Sequence, residues 1–449
     1  MASYLLRNSP VPTSEKKFTF STWLKMSDAS TSADNGIVEW YKSSSERYQI
    51  LIDSATRQLR LYAVESGAVK ATIYSNMVFR DTNAWYHIVI HSDTTQSSSS
   101  NAFKLWVNGV AQTFASYTWS YSQNANVNVF DGSSTRLNLG TRGEAYATWL
   151  NGYLADTYYI DGSLIANTEF GATDSTSGIW KPNTQPTISS FGNAGFHLKY
   201  ENSSNIGLDS SGNTNNFSTS GTITQAEDNP SNVFATLNAI NNYYPEATFS
   251  NGNLKITTKE SAPVMSTLGV SSGKWYWEVK VNALASTYGN IGIVARQATA
   301  GTQHIAGIAD CYGYYSDGSI KDSSGSTSSG YDTYTANDII GIAMDLDNNR
   351  LFVSKNGTWQ NSADPTSSTG AYTITAPAST SLGAYFPAIS YWDDNDAANG
   401  TYEANFGNGR FGTTALASSN SDSAGLGLFE YSVPSGFYSL CTKNIKNYG

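Results

Sequence analysis

The chain has 449 residues, of which only 14% are charged while 13% are aromatic. Disordered chains are rich in charge and poor in aromatic residues, so this composition excludes a largely disordered protein. At roughly 150 residues per domain, the length predicts about three folded units. The formal net charge of −10 argues against a nucleic-acid partner, because phosphates are bound by clustered Lys and Arg.

The sequence carries no sign of membrane targeting or of disulfide bonding. No apolar stretch approaches the roughly 18 to 20 residues that span a bilayer, so we expect no membrane insertion. The N-terminal residues lack the apolar segment of about 7 to 15 residues that a signal peptide needs, so we expect synthesis in the cytoplasm without secretion by that route. Cys311 and Cys441 lie far apart and predict two free thiols.

Alternation of apolar and polar residues dominates the first part of the chain and predicts β-strands. Asn108-Gly109 ends one of these strands and suits a two-residue hairpin turn, because both turn positions need positive φ. Many short strands separated by turns indicate an antiparallel sandwich over residues 1–170. The strands are predicted at residues 18–25, 48–52, 58–62, 85–90, 103–110, 137–140 and 152–160.

The rest of the chain predicts a connector, a second sandwich and a terminal segment. Residues 171–245 are rich in Asn and Ser but hold several aromatic anchors, so we expect an ordered connector with a short strand at 195–200. Residues 246–415 return to alternation and predict another antiparallel sandwich, which residues 416–449 follow. The predicted fold class is therefore all-β, with two jelly-roll-like sandwiches joined by an ordered Asn/Ser-rich connector.

Catalytic motifs are sparse. Glycoside hydrolysis needs two carboxyl groups about 5 to 9.5 Å apart, and the only strand-flanked pair at i, i+2 is Asp345 with Asp347. This pair lies at a predicted hairpin mouth, where Asp residues set turns. His87 and His91 would stand about 13 Å apart on a strand, which is too far for a shared zinc ion. We therefore expect a protein that is not an enzyme.

Two loops concentrate the hard oxygen ligands that Ca²⁺ prefers. Residues 209–216 resemble a degenerate Ca²⁺ loop without its terminal Glu, and Asp393, Asp394 and Asp396 cluster in another loop. Asp-rich and Asn-rich loops also form turns without any ion. The sequence therefore predicts no required cofactor, with Ca²⁺ at the three clustered aspartates as the alternative.

Aromatic residues predicted in loops are the strongest sign of a binding site. Sugar rings stack on aromatic faces, and their hydroxyls bond to carboxylates and amides, so such loops suit glycans. The alternative is that these aromatics only cover the open ends of the sandwiches. The candidate glycan-binding residues are Trp392, Asp393, Asp394, Asp396, Tyr312, Tyr314, Tyr315, Arg142, Tyr146 and Trp149.

Two segments resemble known domain families. Phe-Thr-Phe-Ser-Thr-Trp-Leu-Lys at 18–25, Trp-Tyr-His-Ile-Val-Ile at 85–90 and Leu-Trp-Val-Asn-Gly at 105–109 resemble the concanavalin A-like lectin/glucanase sandwich in its laminin G-like form, over residues 18–160. Lys-Trp-Tyr-Trp-Glu-Val at 274–279 and Asn-Asn-Arg-Leu-Phe-Val at 348–353 resemble a SPRY domain, over residues 265–412. The Glu-x-Asp-x-x-Glu pattern of the glucanases is absent, so this resemblance does not imply their activity.

The arrangement as a whole resembles structural proteins of tailed bacteriophages of marine bacteria. The shared pieces include the connector sequence at 207–213 and the segment Phe-Glu-Tyr-Ser-Val-Pro-Ser-Gly-Phe at 429–437. This resemblance implies a virion surface protein, made in the host cytoplasm, that forms a tail fibre, spike or appendage and binds host-surface polysaccharide. It also implies other virion proteins as partners and a homo-oligomer, with a trimer favoured. A capsid decoration or adaptor role, a polysaccharide-degrading enzyme, and a secreted lectin or peptide-binding SPRY protein remain the alternatives.

Overall fold

The computed structural model describes residues 3–27, 33–143, 148–241, 247–258, 263–299, 303–324, 327–391 and 399–449. The chain divides into two compact units, Met1–Gln225 and Ala226–Gly449. The predicted connector is therefore shared between the units, and the predicted terminal segment belongs to the second. Within the described residues, no helix combines the length and apolar character that a membrane crossing requires.

The first unit is built from short strands, a single-turn helix and two 3₁₀ turns. The 3₁₀ turns are Ser99–Asn101 and Asn128–Phe130, and the helix α1 is Asn167–Phe170. The strands are β1 (Tyr4–Asn8), β2 (Lys17–Met26), β3 (Asn35–Ser43), β4 (Glu46–Ile52), β5 (Gln58–Glu65), β6 (Ala68–Val78), β7 (Trp85–Asp93), β8 (Phe103–Val107), β9 (Val110–Ala111), β10 (Phe114–Trp119), β11 (Arg136–Leu139), β12 (Thr141–Arg142), β13 (Thr148–Trp149), β14 (Gly152–Asp161), β15 (Gly171–Thr173), β16 (Trp180–Pro182), β17 (Phe196–Leu198) and β18 (Ser218–Ser220).

Two antiparallel sheets form the sandwich of the first unit. The eight-stranded sheet has the order β10-β6-β5-β4-β3-β11-β1-β18, and the six-stranded sheet has the order β17-β14-β2-β7-β8-β9. Their facing side chains form one core, in which the Phe18 ring lies 5.1 Å from Trp40, 5.9 Å from Tyr48 and 5.4 Å from Phe130. Alternation along each strand brings these large side chains to one face.

The other face of the six-stranded sheet is covered by residues that the sequence assigned to the connector. The His87 ring stacks between Trp23 and Trp180, with ring centroids 4.7 and 6.0 Å away. The Trp180 indole N–H donates to His87 Nδ1 at 3.0 Å, and the other ring nitrogen of His87 bonds to the Ser21 hydroxyl at 2.9 Å. Burial lowers the pKa of His87 to about 3, so the ring is neutral at neutral pH. The aromatic anchors of residues 171–225 thus complete the first unit.

The second unit has the same kind of construction. Its 3₁₀ turns are Ile305–Gly307 and Pro377–Ser379, and its helix α2 is Thr442–Tyr448. Its strands are β19 (Thr248–Ser250), β20 (Lys255–Thr258), β21 (Val264–Met265), β22 (Lys274–Leu284), β23 (Gly289–Val294), β24 (Cys311–Tyr315), β25 (Ser319–Asp322), β26 (Thr327–Ser329), β27 (Ile339–Asp345), β28 (Arg350–Lys355), β29 (Thr358–Trp359), β30 (Tyr372–Thr373), β31 (Phe386–Tyr391), β32 (Gly400–Asn405), β33 (Arg410–Phe411), β34 (Thr414–Ala415) and β35 (Tyr438–Ser439).

A nine-stranded and a six-stranded sheet enclose the core of the second unit. The larger sheet follows the order β19-β20-β32-β22-β27-β28-β29, with β30 on β28 and β35 parallel to β22. The smaller sheet follows the order β21-β31-β23-β24-β25-β26. Residues after 415 cover the outer face of the larger sheet, where Phe429 and Phe437 pack with Tyr276 and Phe352. The prediction of an all-β fold with two antiparallel sandwiches is confirmed, and both cysteines are free thiols.

Candidate functional site

Half of the predicted glycan-binding residues fall outside the ranges that the structure describes. Trp392, Asp393, Asp394, Asp396 and Tyr146 lie outside the described residues, and so does the alternative Ca²⁺ site that the three aspartates would form. Within the described ranges, no group of three or more His, Cys, Asp or Glu side chains could hold a metal ion.

The prediction that Tyr312, Tyr314 and Tyr315 lie in a binding loop is wrong. All three belong to the central strand β24, and their exposed fractions are 7%, 0% and 2%. The Tyr314 hydroxyl donates to the Asp332 carbonyl, and the Tyr312 hydroxyl bonds to Thr375 at 2.9 Å. Tyr312 and Tyr314 satisfy their hydroxyls inside the unit, and none of the three buried tyrosines presents a ring face to a sugar.

Residues 209–216 form a turn around the Asp209 carboxylate. The Asp209 carboxylate accepts hydrogen bonds from the backbone N–H groups of His197, Ser211 and Asn215, at 2.8 to 2.9 Å. These contacts make Asp209 a turn residue, and the Ca²⁺ alternative at residues 209–216 stays a prediction. Asp345 and Asp347 likewise act as turn residues, since they accept the backbone N–H groups of Asn348 and Gly273.

Arg142 and Trp149 are brought together by the ribbon of β12 and β13. Thr141 pairs with Trp149 and Arg142 pairs with Thr148, and Trp149 is 41% exposed. The Arg142 guanidinium forms an ion pair with Asp34. The ribbon packs directly on β3, where a side chain at Gly36 would collide with the Thr141 backbone. These two predicted residues therefore stand beside the outer face of the eight-stranded sheet.

That outer face, which we call the polar face, carries the candidate site. It consists of the side chains of β11, β3, β4, β5 and β6 that alternate with the core residues and point away from them. Strand pairing arranges them in rows across the sheet. One row joins Asn138, Glu39, Gln49 and Tyr62, and the next joins Arg136, Tyr41 and Arg47.

Glu39 forms the floor of the polar face. Its carboxylate is fully buried and accepts hydrogen bonds from Gln49 Nε2, from Asn138 Nδ2 at 3.1 Å and from the Gly143 backbone N–H. Burial raises the pKa of Glu39, and these three hydrogen bonds act in the opposite direction. The amides that bond to Glu39 turn their oxygens elsewhere: Gln49 Oε1 and Asn138 Oδ1 are buried and have no hydrogen-bond partner among the described residues.

Aromatic rings and guanidinium groups surround this floor. The Arg60 guanidinium lies 4.6 Å from the Tyr62 ring centroid and 5.2 Å from that of Tyr74. The Arg47 guanidinium lies 5.5 Å from the same Tyr62 ring. Tyr62, Tyr74 and Arg60 are partly exposed. Their ring faces and N–H donors therefore surround the acceptor oxygens of Glu39, Gln49 and Asn138. Such a surface can stack against a sugar ring and bond to its hydroxyl groups.

Sequence reasoning missed the polar face, although one signal was present. Glu39 with Tyr41, Arg47 with Gln49, and Arg60 with Tyr62 are i, i+2 pairs of polar or amphipathic residues on consecutive strands. The outward side of an antiparallel sheet is usually polar, so these pairs indicate which face points away from the core without identifying a site. Only the strand register shows that they adjoin.

Comparisons with known families agree with the two sandwiches. The concanavalin A-like lectin/glucanase superfamily matches residues 2–164, and the SPRY domain matches residues 274–407. No curated protein sequence matches the chain. Neither family match indicates a phage origin or a virion role.

Solved structures resemble parts of the chain. The SPRY domain of human HERC1 is 13% identical, with a TM-score of 0.28, and the match covers 35% of this chain and 91% of that one. The heptameric SAP-like pentraxin from Limulus polyphemus is 12% identical, with a TM-score of 0.27, and the match covers 37% of this chain and 73% of that one. The family matches fit a general binding or adhesion role. The chain therefore contains one segment similar to concanavalin A-like, laminin G-like domains and another similar to SPRY domains.

Proposed function

We propose that the protein is a non-enzymatic adhesin on the surface of a phage virion, in a tail fibre, spike or appendage, and that its polar face binds host-surface glycans. The resemblance of the whole sequence to tailed-phage structural proteins supports the virion role. The lectin-type family match of the first unit and the chemistry of the polar face support glycan binding.

One observation carries the glycan proposal. Gln49 Oε1 and Asn138 Oδ1 are buried acceptors without a partner among the described residues, and they flank the fully buried Glu39. An unsatisfied buried polar atom costs about 1 to 3 kcal/mol, so a ligand that donates hydrogen bonds to these two oxygens would be favoured. Sugar hydroxyls would supply the missing donors, and the Tyr62 ring would supply a stacking surface beside them.

Tyr62→Ala is expected to weaken binding to host cells or host polysaccharide about thirtyfold, because truncation of an aromatic anchor costs about 2 kcal/mol. The matched control is Tyr288→Ala, which removes an exposed tyrosine of the second unit and should leave affinity unchanged. Titration calorimetry of the purified variants measures the difference. Equal affinities for the Tyr62→Ala variant and the unaltered protein would reject the polar face as the binding site.

The surroundings of Glu39 support binding without catalysis. Hydrolysis of a glycosidic bond needs a second carboxyl group beside the first. Here the side chains that bond to Glu39 are the amides Gln49 and Asn138, while Asp34 is paired with Arg142. We expect no release of reducing sugars from host polysaccharide by the purified protein. Release that disappears in Glu39→Gln would favour the polysaccharide-degrading alternative.

The proposed partners are other virion proteins and host-surface polysaccharide, in a homo-oligomer for which a trimer is favoured. The proposal includes no nucleic-acid partner, no membrane insertion and no required cofactor. Locating the protein in a reconstruction of the virion tests the assignment, and light scattering of the purified protein tests for a trimeric mass. A position on the capsid face would favour the decoration or adaptor alternative.

A further inference from the structure

One edge of the eight-stranded sheet is longer than the other sheet edges that the structure describes. Strand β10 forms this edge, and among the described residues it pairs with β6 alone. The remaining edge strands of the two sandwiches have two or three residues each, namely β9, β17, β18, β19, β21, β26 and β29. Natural proteins keep edge strands short, because an unpaired edge can pair with another chain.

The free side of β10 presents the backbone groups of two residues. The Ser120 backbone N–H donates to the Lys70 carbonyl at 2.7 Å. Bonded residues alternate along an antiparallel pair, so the backbone groups of Thr118 also face β6. The backbone groups of Tyr117 and Trp119 therefore face away from β6, where a further strand would lie.

The side chains along this edge leave room for another strand. Ser116 and Thr118 are small and exposed. Tyr117 packs on the core side, and its hydroxyl donates to the Ser99 carbonyl at 2.7 Å. Residues 105–130 contain no charged residue and no proline. Lysine and proline are common protections of edge strands, and neither is present here.

The charge of the chain makes a second copy the fitting partner for this edge. Two chains that each carry a formal net charge of −10 repel one another, so they approach best where neither contributes a charge. The uncharged segment at 105–130 provides such a place. A strand edge also complements itself, because the outward N–H groups of one copy meet the outward carbonyls of the other about a two-fold axis.

We infer that β10 pairs in antiparallel fashion with β10 of a second copy, with Thr118 opposite the partner's Thr118. The bulge that follows Phe114 interrupts the strand and restricts this pairing to the rest of β10. Tyr117 then exchanges backbone hydrogen bonds with the partner's Trp119, while the two threonines form a cross-strand pair. A two-fold contact closes with two copies, so we expect a dimer rather than the trimer that the resemblance implies.

The dimer joins two polar faces in one continuous sheet. Tyr62 pairs with Thr72 and Thr72 pairs with Thr118, so the row that contains Glu39 extends to the free edge. With about 4.8 Å between strands, the two Tyr62 positions lie about 24 Å apart. If the proposed function holds, one dimer can therefore bind two sites on the same polysaccharide, which raises avidity without any new contact.

The mass of the full chain in solution tests the contact. We expect sedimentation velocity to show a dimer that dissociates to monomers on dilution. Thr118→Lys places two lysines opposite each other and should raise the dissociation constant of the dimer at least about tenfold. The matched control is Thr219→Lys, which alters an exposed threonine on the short edge strand β18 and should leave the constant unchanged.

A cysteine at the same position tests the register. Directly opposite residues that share no backbone hydrogen bond have Cα atoms about 4.5 Å apart, which is within the range of a disulfide. Thr118→Cys should therefore form a disulfide between two copies under mild oxidation, as a non-reducing gel would show. Thr219→Cys should stay monomeric on the same gel. Cys311 and Cys441 are buried and do not compete for this reaction.

The remaining outcomes would overturn the inference. A monomer at every concentration, or a dimer that Thr118→Lys leaves unchanged, would reject the contact through β10. A trimer that this variant leaves unchanged would reject it too, and would support the trimer of the proposed function. Equal disulfide formation at the two cysteine positions would reject the register. Thermal unfolding shows whether each variant keeps its fold, and the cysteine variant serves if the lysine variant does not fold. Since no glycan takes part in these measurements, failure of the dimer is separate from failure of glycan binding.

Discussion

A fragment that ends at residue 170, the domain boundary predicted from the sequence, is expected to aggregate, whereas residues 1–225 are expected to fold cooperatively. The shorter fragment lacks β17, which pairs with β14, and β18, which pairs with β1. It also lacks Trp180, which covers the outer face of the six-stranded sheet through its contact with His87. Exposed sheet edges and uncovered apolar faces promote association between chains.

Gel filtration and denaturant unfolding of the two fragments measure this difference. Trp180→Ala in the longer fragment should give a stability between those of the two fragments, with an expected loss of about 3 kcal/mol in the free energy of unfolding. The loss has two causes: a large side chain is removed, and the buried His87 imidazole loses the hydrogen-bond donor of Trp180. Trp149→Ala is the matched control, since that side chain is 41% exposed. A monomeric 1–170 fragment with a cooperative transition would show that residues 171–225 are only a connector.

Glu278→Ala is expected to lower the free energy of unfolding of the second unit by about 2 to 4 kcal/mol. The Glu278 carboxylate is fully buried and accepts the backbone N–H groups of Glu430 and Tyr431, each at 2.9 Å, and the Tyr276 hydroxyl at 3.0 Å. Removing it leaves these donors buried without an acceptor and detaches the terminal segment from the sheet. Calorimetric unfolding measures the change, with the exposed Glu201→Ala as control.

The same glutamate gives the second unit a defined pH dependence. Burial raises the pKa of Glu278 from its usual 4.5 to about 7, against the effect of its hydrogen bonds. Between these two values the folded state keeps a proton that the unfolded state releases. The stability contributed by the protonated Glu278 is therefore complete below about pH 4.5, declines between pH 4.5 and 7, and is lost above pH 7. Glu278→Gln cannot ionise and should lack this decline. An identical pH profile in both proteins would contradict the assignment.

The sandwiches were predictable because alternation is a local property. The predicted strand at residues 85–90 lies inside β7, and the predicted strand at 152–160 lies inside β14. The covering layers were not predictable in the same way. Trp180 and Phe429 lie in Asn- and Ser-rich or loop-like sequence, and their burial depends on a sheet far away in the chain.

The candidate site was predicted poorly for a related reason. Tyr312 and Tyr314 stand beside Gly313, a pattern typical of loops, yet β24 pairs with β23. Gly292 of β23 permits this close approach, since a side chain there would collide with the Tyr312 backbone. Conversely, Glu39, Gln49 and Asn138 come from three strands, and their proximity follows from register alone. Composition therefore indicated a binding protein but could not locate its surface.

In each unit, residues late in the chain complete sheets that contain early strands, and this constrains the order of folding during synthesis. Strand β1 is synthesised first, but its neighbour β18 leaves the ribosome about two hundred residues later. In the second unit, β22 is likewise synthesised well before its neighbour β35. The first sandwich can thus close fully once residue 225 has emerged, before most of the second has been synthesised. Such an order keeps the unpaired edges of two similar sandwiches from being exposed together, which limits mispairing within one nascent chain.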